Sequence, residues 1–322
     1  MRVMVTGGAG FIGSTTASAL LAAGHDVTAV DDLSRGRRAM VPEGATFVHA
    51  DVTDAAAMER LVAGAGFDAC LHFAALIEVG DSMQRPEAYF RTNTVGTATL
   101  LEVLLRHDVG RFVFSSTAAT YGEPTRVPID EDHANEPTNP YGQSKLMTEH
   151  MLRWYHDLHG LRSASLRYFN AAGATGRHGE RYDEHQTHLI PLVLSAASGR
   201  RDRVRVFGTD YPTPDGTAVR DYIHVADLAD AHVRALDALD THGRIIANLA
   251  NGQGFSVREV ITTAQEVTGL PVPSVDEPRR AGDPAVLVAS SDRARELLGW
   301  VPQRPALATI VGDAWEHLQQ HG

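Results

Sequence analysis

Apolar residues in this chain come as short runs separated by longer stretches of helical periodicity. Arg2-Val3-Met4-Val5, Val27-Thr28-Ala29-Val30, Phe47-Val48, Ala69 to His72 and Phe112-Val113-Phe114 are too short for helices and predict strands. Between them Ser14 to Ala23, Asp54 to Val62 and about Thr94 to Arg106 predict helices, the first ending at Gly24. Such alternation implies a parallel sheet covered by helices on both faces, in which ligands bind at the carboxyl ends of the strands. Further on, Pro140 to Tyr155 keeps helical periodicity behind a cap at Thr138 or Asn139. Val225 to Leu239 predicts a helix and Arg244 to Leu249 a late strand of the same sheet. Ser256-Val257-Arg258-Glu259 fits a capping box that opens a helix to Thr268; Pro271 and Pro273 then break the chain, and Ala306 to Gln319 predicts a last helix. The pattern gives a doubly wound α/β region, 1–170 plus 220–250, interleaved with a smaller α/β region, 171–219 plus 251–322.

Composition narrows the class. With 322 residues, 43% hydrophobic and 21% charged, the chain is an ordinary globular protein of one large or two smaller domains. A net charge of −11 argues against nucleic acid as a partner. The N-terminus enters a strand without a basic-then-apolar leader, and no apolar run is long enough for a bilayer, so the expectation is a cytoplasmic protein with no membrane partner. Cys70 is the sole cysteine, which excludes an internal disulfide and thiolate metal clusters; in Ala69-Cys70-Leu71 it suits a buried structural position. The sixteen histidines are scattered without metal-ligand spacing, and no metal is expected.

The first strand leads into Thr6-Gly7-Gly8-Ala9-Gly10-Phe11-Ile12-Gly13, which fits Gly-x-Gly-x-x-Gly from Gly8 and Gly-x-x-Gly-x-x-Gly from Gly7. A strand, a glycine turn and a helix start form a site for a pyrophosphate: glycine lets it approach the backbone, and the helix N-terminus offers free N–H groups. The second strand ends at Asp31, where a carboxylate can accept from an adenosine ribose and would repel a 2′-phosphate, so NAD is favoured over NADP. Arg35, Arg37 and Arg38 stand close enough to screen that repulsion. Residues after later strands are further candidates. Asp51 suits an adenine amino group or an ordinary loop, and the small Ala74 and Ala75 let a cofactor pass or let helices pack.

Tyr141 and Lys145 lie one turn apart on the same helix face. A tyrosine is a poor base at neutral pH, but a nearby ammonium stabilises its phenolate and lowers its pKa. The hydroxyls of Ser115-Ser116-Thr117 end a strand just upstream, so one of them can reach the same substrate oxygen.

These stretches resemble the extended short-chain dehydrogenase/reductase family, and within it the UDP-glucose 4-epimerases. The resemblance rests on residues 6–14, His-Phe-Ala-Ala at 72–75, Phe-Ser-Ser-Thr-Ala-Ala-Thr-Tyr-Gly at 114–122, Asn-Pro-Tyr-Gly-Gln-Ser-Lys at 139–145, and Leu-Arg-Tyr-Phe-Asn-Ala-Ala-Gly-Ala at 166–174. It continues through His-Leu-Ile-Pro at 188–191, Val206 to Val225 and Arg-Arg-Ala-Gly-Asp at 279–283, nearly the whole chain. It implies a Rossmann-type sheet with a UDP-sugar-binding region and a tightly bound NAD regenerated at each turnover. By it, Gly7, Gly10, Phe11, Ile12, Gly13, Asp31, Asp32, Asp51, Val52, Phe73, Ala74, Ala75, Asn93 and Ser115 would line the cofactor, with Tyr168 and Phe169 beside the nicotinamide. Asn170, His188, Leu189 and Phe207 would hold the nucleotide sugar, and Arg220, Arg280 and Asp283 its diphosphate and ribose. The planar guanidinium of arginine suits phosphate independently of any resemblance. Arg220 has an alternative as an ion-pair partner of Asp221 or another neighbour.

Related dehydratases and decarboxylases are expected to carry an acid just after the threonine, where this chain has Thr117-Ala118-Ala119. The expected reaction is therefore reversible 4-epimerisation of UDP-glucose and UDP-galactose through a 4-keto sugar, with Tyr141, Lys145 and Thr117 catalytic. By the same resemblance Leu287, a few residues after the Gly-Asp stretch, aligns with a position where a bulky tyrosine restricts the pocket of such epimerases, which raises UDP-N-acetylglucosamine as an alternative substrate; UDP-glucuronate is another. An alternative of a different class is a noncatalytic NAD-sensing module. The resemblance also suggests a homodimer built on the helix near Thr94 to Arg106 and the one carrying Tyr141.

Overall fold

A computed structural model describes residues 1–183, 186–280 and 282–321. Ala281, within the Arg-Arg-Ala-Gly-Asp stretch, lies outside them. Strands β1 (Arg2–Thr6), β2 (Asp26–Asp31), β3 (Thr46–His49), β4 (Ala69–His72), β5 (Arg111–Thr117) and β6 (Arg162–Tyr168) form one parallel sheet with the late strand Arg244–Leu249. Its order is Arg244–Leu249, β6, β5, β4, β1, β2, β3. The order reverses between β1 and β4, and a crevice opens there at the carboxyl ends. Alternate residues of each strand enter different cores, as a sheet covered on both faces requires. Val3 and Val5 pack with Leu20 of helix α1 (Phe11–Ala22) and with Leu236 and Leu239 of the helix Val225–His242. Met4 packs on the other side with Met58 of helix α2 (Ala55–Val62), Leu100 and Leu104 of the helix Thr97–Arg106, and Leu152 of the helix Pro140–His159.

Most helix ends follow the sequence signals. Asp54 caps α2, Asn139 caps the tyrosine helix through the Gly142 amide, and Ser256 and Glu259 form a reciprocal capping box. The helix expected from Thr94 differs: it begins at Thr97 and is preceded by a π-helical turn, Phe90–Gly96. A π turn closes on the fifth residue, so the usual helical period does not reveal it. The tyrosine helix also runs past Tyr155 to His159, where Gly160 ends it at φ 70°.

Outside the sheet, the helices Leu189–Ala197, Val257–Thr268 and Leu307–His321 enclose a second core containing Leu194, Val206, Val260, Ile310 and Leu318. The strand Val219–His224 runs between Asn170–Ala172 and Val286–Leu287 on one hand and Gly254–Ser256 on the other. Two bonds bring this part against the first helix and the loop after β2: His178 Nδ1 to Ser14 Oγ at 3.2 Å, and Arg181 Nη1 to the Arg35 carbonyl at 3.0 Å. Among the described residues no helix is long and apolar enough to cross a membrane.

Candidate active site

The glycine turn is shaped by close packing. Gly7 has φ +68°, and a Cβ there would stand 2.7 Å from the Ala74 amide nitrogen; one on Gly13 would stand 2.1 Å from the Gly7 carbonyl oxygen. At Gly10 only that same carbonyl, 3.3 Å away, comes near, so this glycine borders open space. Gly10 caps α1 without a side-chain bond, leaving the first amides, at Phe11, Ile12 and Gly13, without intrahelical partners. The donor set fits a pyrophosphate.

Asp31 is buried and accepts from the amides of Ala9 at 3.0 Å and Leu33 at 2.8 Å. Burial raises its carboxyl pKa and those two bonds oppose the rise. A carboxylate has about four acceptor sites, so two remain for ribose hydroxyls. Gly36 leaves that space clear, since a Cβ there would stand 2.6 Å from Asp31 Oδ1. The neighbouring arginines do not screen Asp31. Arg35 pairs with Glu78 at 3.3 Å, Arg37 reaches Met40 Sδ, and Arg38 lies over the Phe47 ring. Asp32 accepts from the amide and hydroxyl of Ser34, and Asp51 from the Thr53 amide, so both carboxylates shape turns at the crevice rim. Val52 turns its side chain into the core with Met4 and Leu100.

Phe73 follows β4, its amide donating to the Thr6 carbonyl and its ring 4.8 Å from the His232 ring. Half-buried Ala74 and Ala75 continue along the glycine turn. Asn93, on the π turn, commits its amide to protein: it donates to the Leu76 carbonyl and Ser144 Oγ and accepts from the Leu76 amide. From there it fixes the loop after β4 to the tyrosine helix.

Tyr141 lies beside Thr117, whose Oγ1 accepts from the Ala119 amide at 3.2 Å. Gly142 lets the helix start sit close to that turn, because a Cβ there would fall 2.4 Å from the Ala119 carbonyl oxygen. Lys145 is 2% exposed and donates to the Ser115 carbonyl at 2.8 Å. The expected lowering of the tyrosine pKa by the lysine is not what this structure shows. Burial raises the Tyr141 hydroxyl, the neighbouring Thr117 hydroxyl opposes the rise, and nearby Glu78 adds to it. Burial also pushes the Lys145 ammonium down to about 7, so the lysine is itself short of compensating charge.

Tyr168 donates to Ser115 Oγ, and its hydroxyl pKa is raised by burial. Phe169 and Leu287 pack with Tyr121, Ile129 and Ala118, beside the Thr117 turn. Asn170 donates to the Asp221 carbonyl at 3.0 Å. Arg220 pairs with Asp283, not with Asp221, and also donates to the Val219 carbonyl. Its strand neighbour is Leu287. The Arg280 guanidinium lies 3.9 Å from the centre of the Phe207 ring. His188 caps the helix that begins at Leu189, and Glu180, 2.7 Å away, holds its pKa up. The site therefore gathers Gly7 to Gly13, Asp31, Ala74, Thr117, Tyr141, Lys145 and Tyr168 at the carboxyl edge of the sheet, with Arg220 and Leu287 on neighbouring strands outside that sheet and Asp283, in the loop before Leu287, paired with Arg220.

Sequence reasoning missed three nearby charged groups. Glu78 faces Tyr141 and pairs with Arg35. Glu149 and Arg167 form a buried ion pair behind the site. A charged residue on the buried face of the tyrosine helix is the signal that would have exposed Glu149.

The NAD dependent epimerase/dehydratase family matches residues 3–250. A curated protein from Corynebacterium glutamicum, named UDP-glucose 4-epimerase, is 50% identical over 315 residues, spanning 98% of this chain and 95% of its own. A crystal structure of UDP-glucose 4-epimerase from Brucella ovis in complex with NAD superposes with a TM-score of 0.95 at 44% identity, covering 98% of both chains. The corresponding structure from Bifidobacterium longum, in complex with NAD+ and UDP, gives a TM-score of 0.95 at 38% identity, covering 100% of this chain and 99% of that one. With a family match over most of its length and relatives this similar from end to end, the chain belongs to the NAD dependent epimerase/dehydratase family.

Proposed function

We propose that this chain is a UDP-glucose 4-epimerase, interconverting UDP-galactose and UDP-glucose with NAD as a bound cofactor. The observation that carries the reading is the placing of Tyr141 and Lys145 on one helix against the carboxyl end of β5, where Thr117 ends the strand and Lys145 donates to the Ser115 carbonyl at 2.8 Å. Tyr141 takes the proton of the sugar C4 hydroxyl, and Thr117 holds that oxygen. NAD, when bound, supplies the acceptor for the C4 hydride and returns it, so none is consumed. The amides of α1 and the carboxylate of Asp31 hold its pyrophosphate and ribose. Lys145 keeps the phenolate accessible, a role served by whichever fraction of the amine is charged. The keto sugar turns over while its UDP anchor stays, and the proton returns from Tyr141 to the opposite epimer.

Residues 1–170 plus 220–250 bind the cofactor, and 171–219 plus 251–322 bind the UDP-sugar. At the join of the two regions Arg220 and Asn170, from the edge of the first, act with Arg280, Asp283, Phe207 and Leu189 of the second: Arg220 and Arg280 take the diphosphate, Asp283 the ribose, and Phe207, Asn170 and Leu189 the nucleotide. Binding requires Arg220 to share its present pairing with Asp283. The protein acts in the cytoplasm as a homodimer, the partner being a second copy seated on the apolar outer stripe of the tyrosine helix, Met147, Met151, Trp154 and Leu158.

The test is to incubate the purified protein with UDP-galactose and no added nucleotide and to separate the epimers chromatographically. UDP-glucose at the epimeric equilibrium is expected, and Tyr141→Phe is expected to lower kcat by about 10³-fold. A Tyr141→Phe protein with full turnover would refute the mechanism. NADH accumulating in step with product would mean a dehydrogenase.

A further inference from the structure

Glu149 lies one turn beyond Lys145 and two beyond Tyr141 on the tyrosine helix, on its sheet-facing side. Helical periodicity places an apolar side chain there, yet the position is a carboxylate, 4% exposed. All its partners lie in the sheet. Arg167 donates Nε to Oε1 at 2.9 Å and Nη2 to Oε2 at 2.5 Å, and Ser116 Oγ donates to Oε1 at 2.5 Å. Ser116 and Arg167 are register partners on β5 and β6, so one carboxylate is tied to two adjacent strands at one level. The next pair in that register is Thr117 and Tyr168. Behind Arg167, the Tyr121 ring covers the guanidinium at 4.8 Å, and Tyr121 donates to Asn248 Oδ1.

Buried ion pairs are weak sources of stability, because desolvation offsets their attraction and apolar replacements often do as well. Direction is what they add. A bidentate arginine and a serine hydroxyl fix both the roll and the slide of the helix, which apolar packing alone leaves loose. Tyr141 projects from that helix toward Thr117, so roll or slide changes the separation of the two hydroxyls. Resting on the epimerase reading above, we propose that Glu149, Arg167 and Ser116 are positioning residues that set the reach between Tyr141 and Thr117.

The test replaces the charged pair as a unit, in Glu149→Met/Arg167→Met, so that no buried charge is left alone. The unfolding midpoint is expected within about 5 °C of the parent. The kcat for UDP-galactose is expected to fall about 10²-fold with KM within about twofold, the signature of lost alignment. A folded double variant with the parent kcat overturns the proposal. If the double variant fails to fold, Ser116→Ala decides, since it removes one hydrogen bond and no charge. It should lower kcat about fivefold at unchanged KM and midpoint, with Ser116→Thr restoring it; an unchanged kcat in Ser116→Ala overturns the proposal. An inactive parent chain would sink the epimerase reading and this inference with it, whereas active variants beside an active parent sink the positioning role alone.

Discussion

Lys145 is an amine placed where its charge is disfavoured. Burial lowers its pKa to about 7 from the 10.5 of a free side chain, and the hydrogen bond it donates goes to a neutral carbonyl, that of Ser115. The direction fixes a pH dependence. Between those two values the unfolded chain binds the extra proton, so the free energy of unfolding rises with pH across the window, and below about 7 the full penalty opposes folding. For cofactor-stripped protein, the urea midpoint is therefore expected to climb from pH 7 to about 9.5 relative to Lys145→Met in the same buffers. Parallel curves for the two proteins would count against it. The spacing of Tyr141 and Lys145 was legible, because four residues make a helical turn. Their electrostatics were not, because the desolvation comes from strands and loops that periodicity does not place beside them. Asp31 divides the same way: its position after β2 was readable, but the amides of Ala9 and Leu33 that already occupy it were not.

At the scale of elements, chemistry depends on where the tyrosine helix begins. Asn139 Oδ1 accepts from the Gly142 amide at 2.8 Å, and Pro140 fills the first turn, so Tyr141 sits within two residues of the cap. Asn139→Ala should cost about 1 kcal/mol of stability. It should also lower kcat for UDP-galactose more than it raises KM, because in the proposed mechanism fraying of that turn moves Tyr141 and not the residues that hold UDP. Denaturant unfolding beside steady-state kinetics would check both, and a stability loss with unchanged kcat would show that packing of Gly142 on Ala119 holds the turn unaided. Caps were legible because each uses a particular side chain at a fixed offset, as the Ser256–Glu259 box also shows; Asp54, read as the first residue of its helix, is in fact its cap. The π turn Phe90–Gly96 has no such marker, and it is the element that brings Asn93 to the Leu76 loop and Ser144. The strand Val219–His224 also escaped notice. Arg220, Asp221 and His224 make it look polar, although Asp221 is fully buried, accepting from the amides of Asn251 and Gly252.

For the whole molecule, the parallel sheet was readable because its strands are apolar runs at regular intervals with helices between. The second core was harder: its strands are two to six residues long, and they pair segments far apart in sequence, Val204–Phe207 with Ser274–Glu277 for example. The outer surface adds one more consequence. On the tyrosine helix, Met147, Trp154 and Leu158 are 38%, 54% and 70% exposed, on the side away from Tyr141 and Lys145, whereas the neighbouring helix Thr97–Arg106 turns Glu102 and Arg106 outward. An acidic chain with this stripe is expected to bury it against a second copy, the charged ends of the shorter helix forming the rim. Light scattering at micromolar concentration should give twice the 34.7 kDa chain mass, and the unfolding midpoint should rise with protein concentration. Leu158→Glu, placed at the most exposed point of the stripe, should halve the mass and remove that dependence while leaving the fold intact, since the side chain has little to lose within its own chain. A parent chain that scatters as a single copy would leave the stripe without its partner. Because the same helix carries Tyr141, the base of the proposed reaction, on its inner face, a monomeric variant whose kcat falls while KM holds would show that the second copy braces that helix.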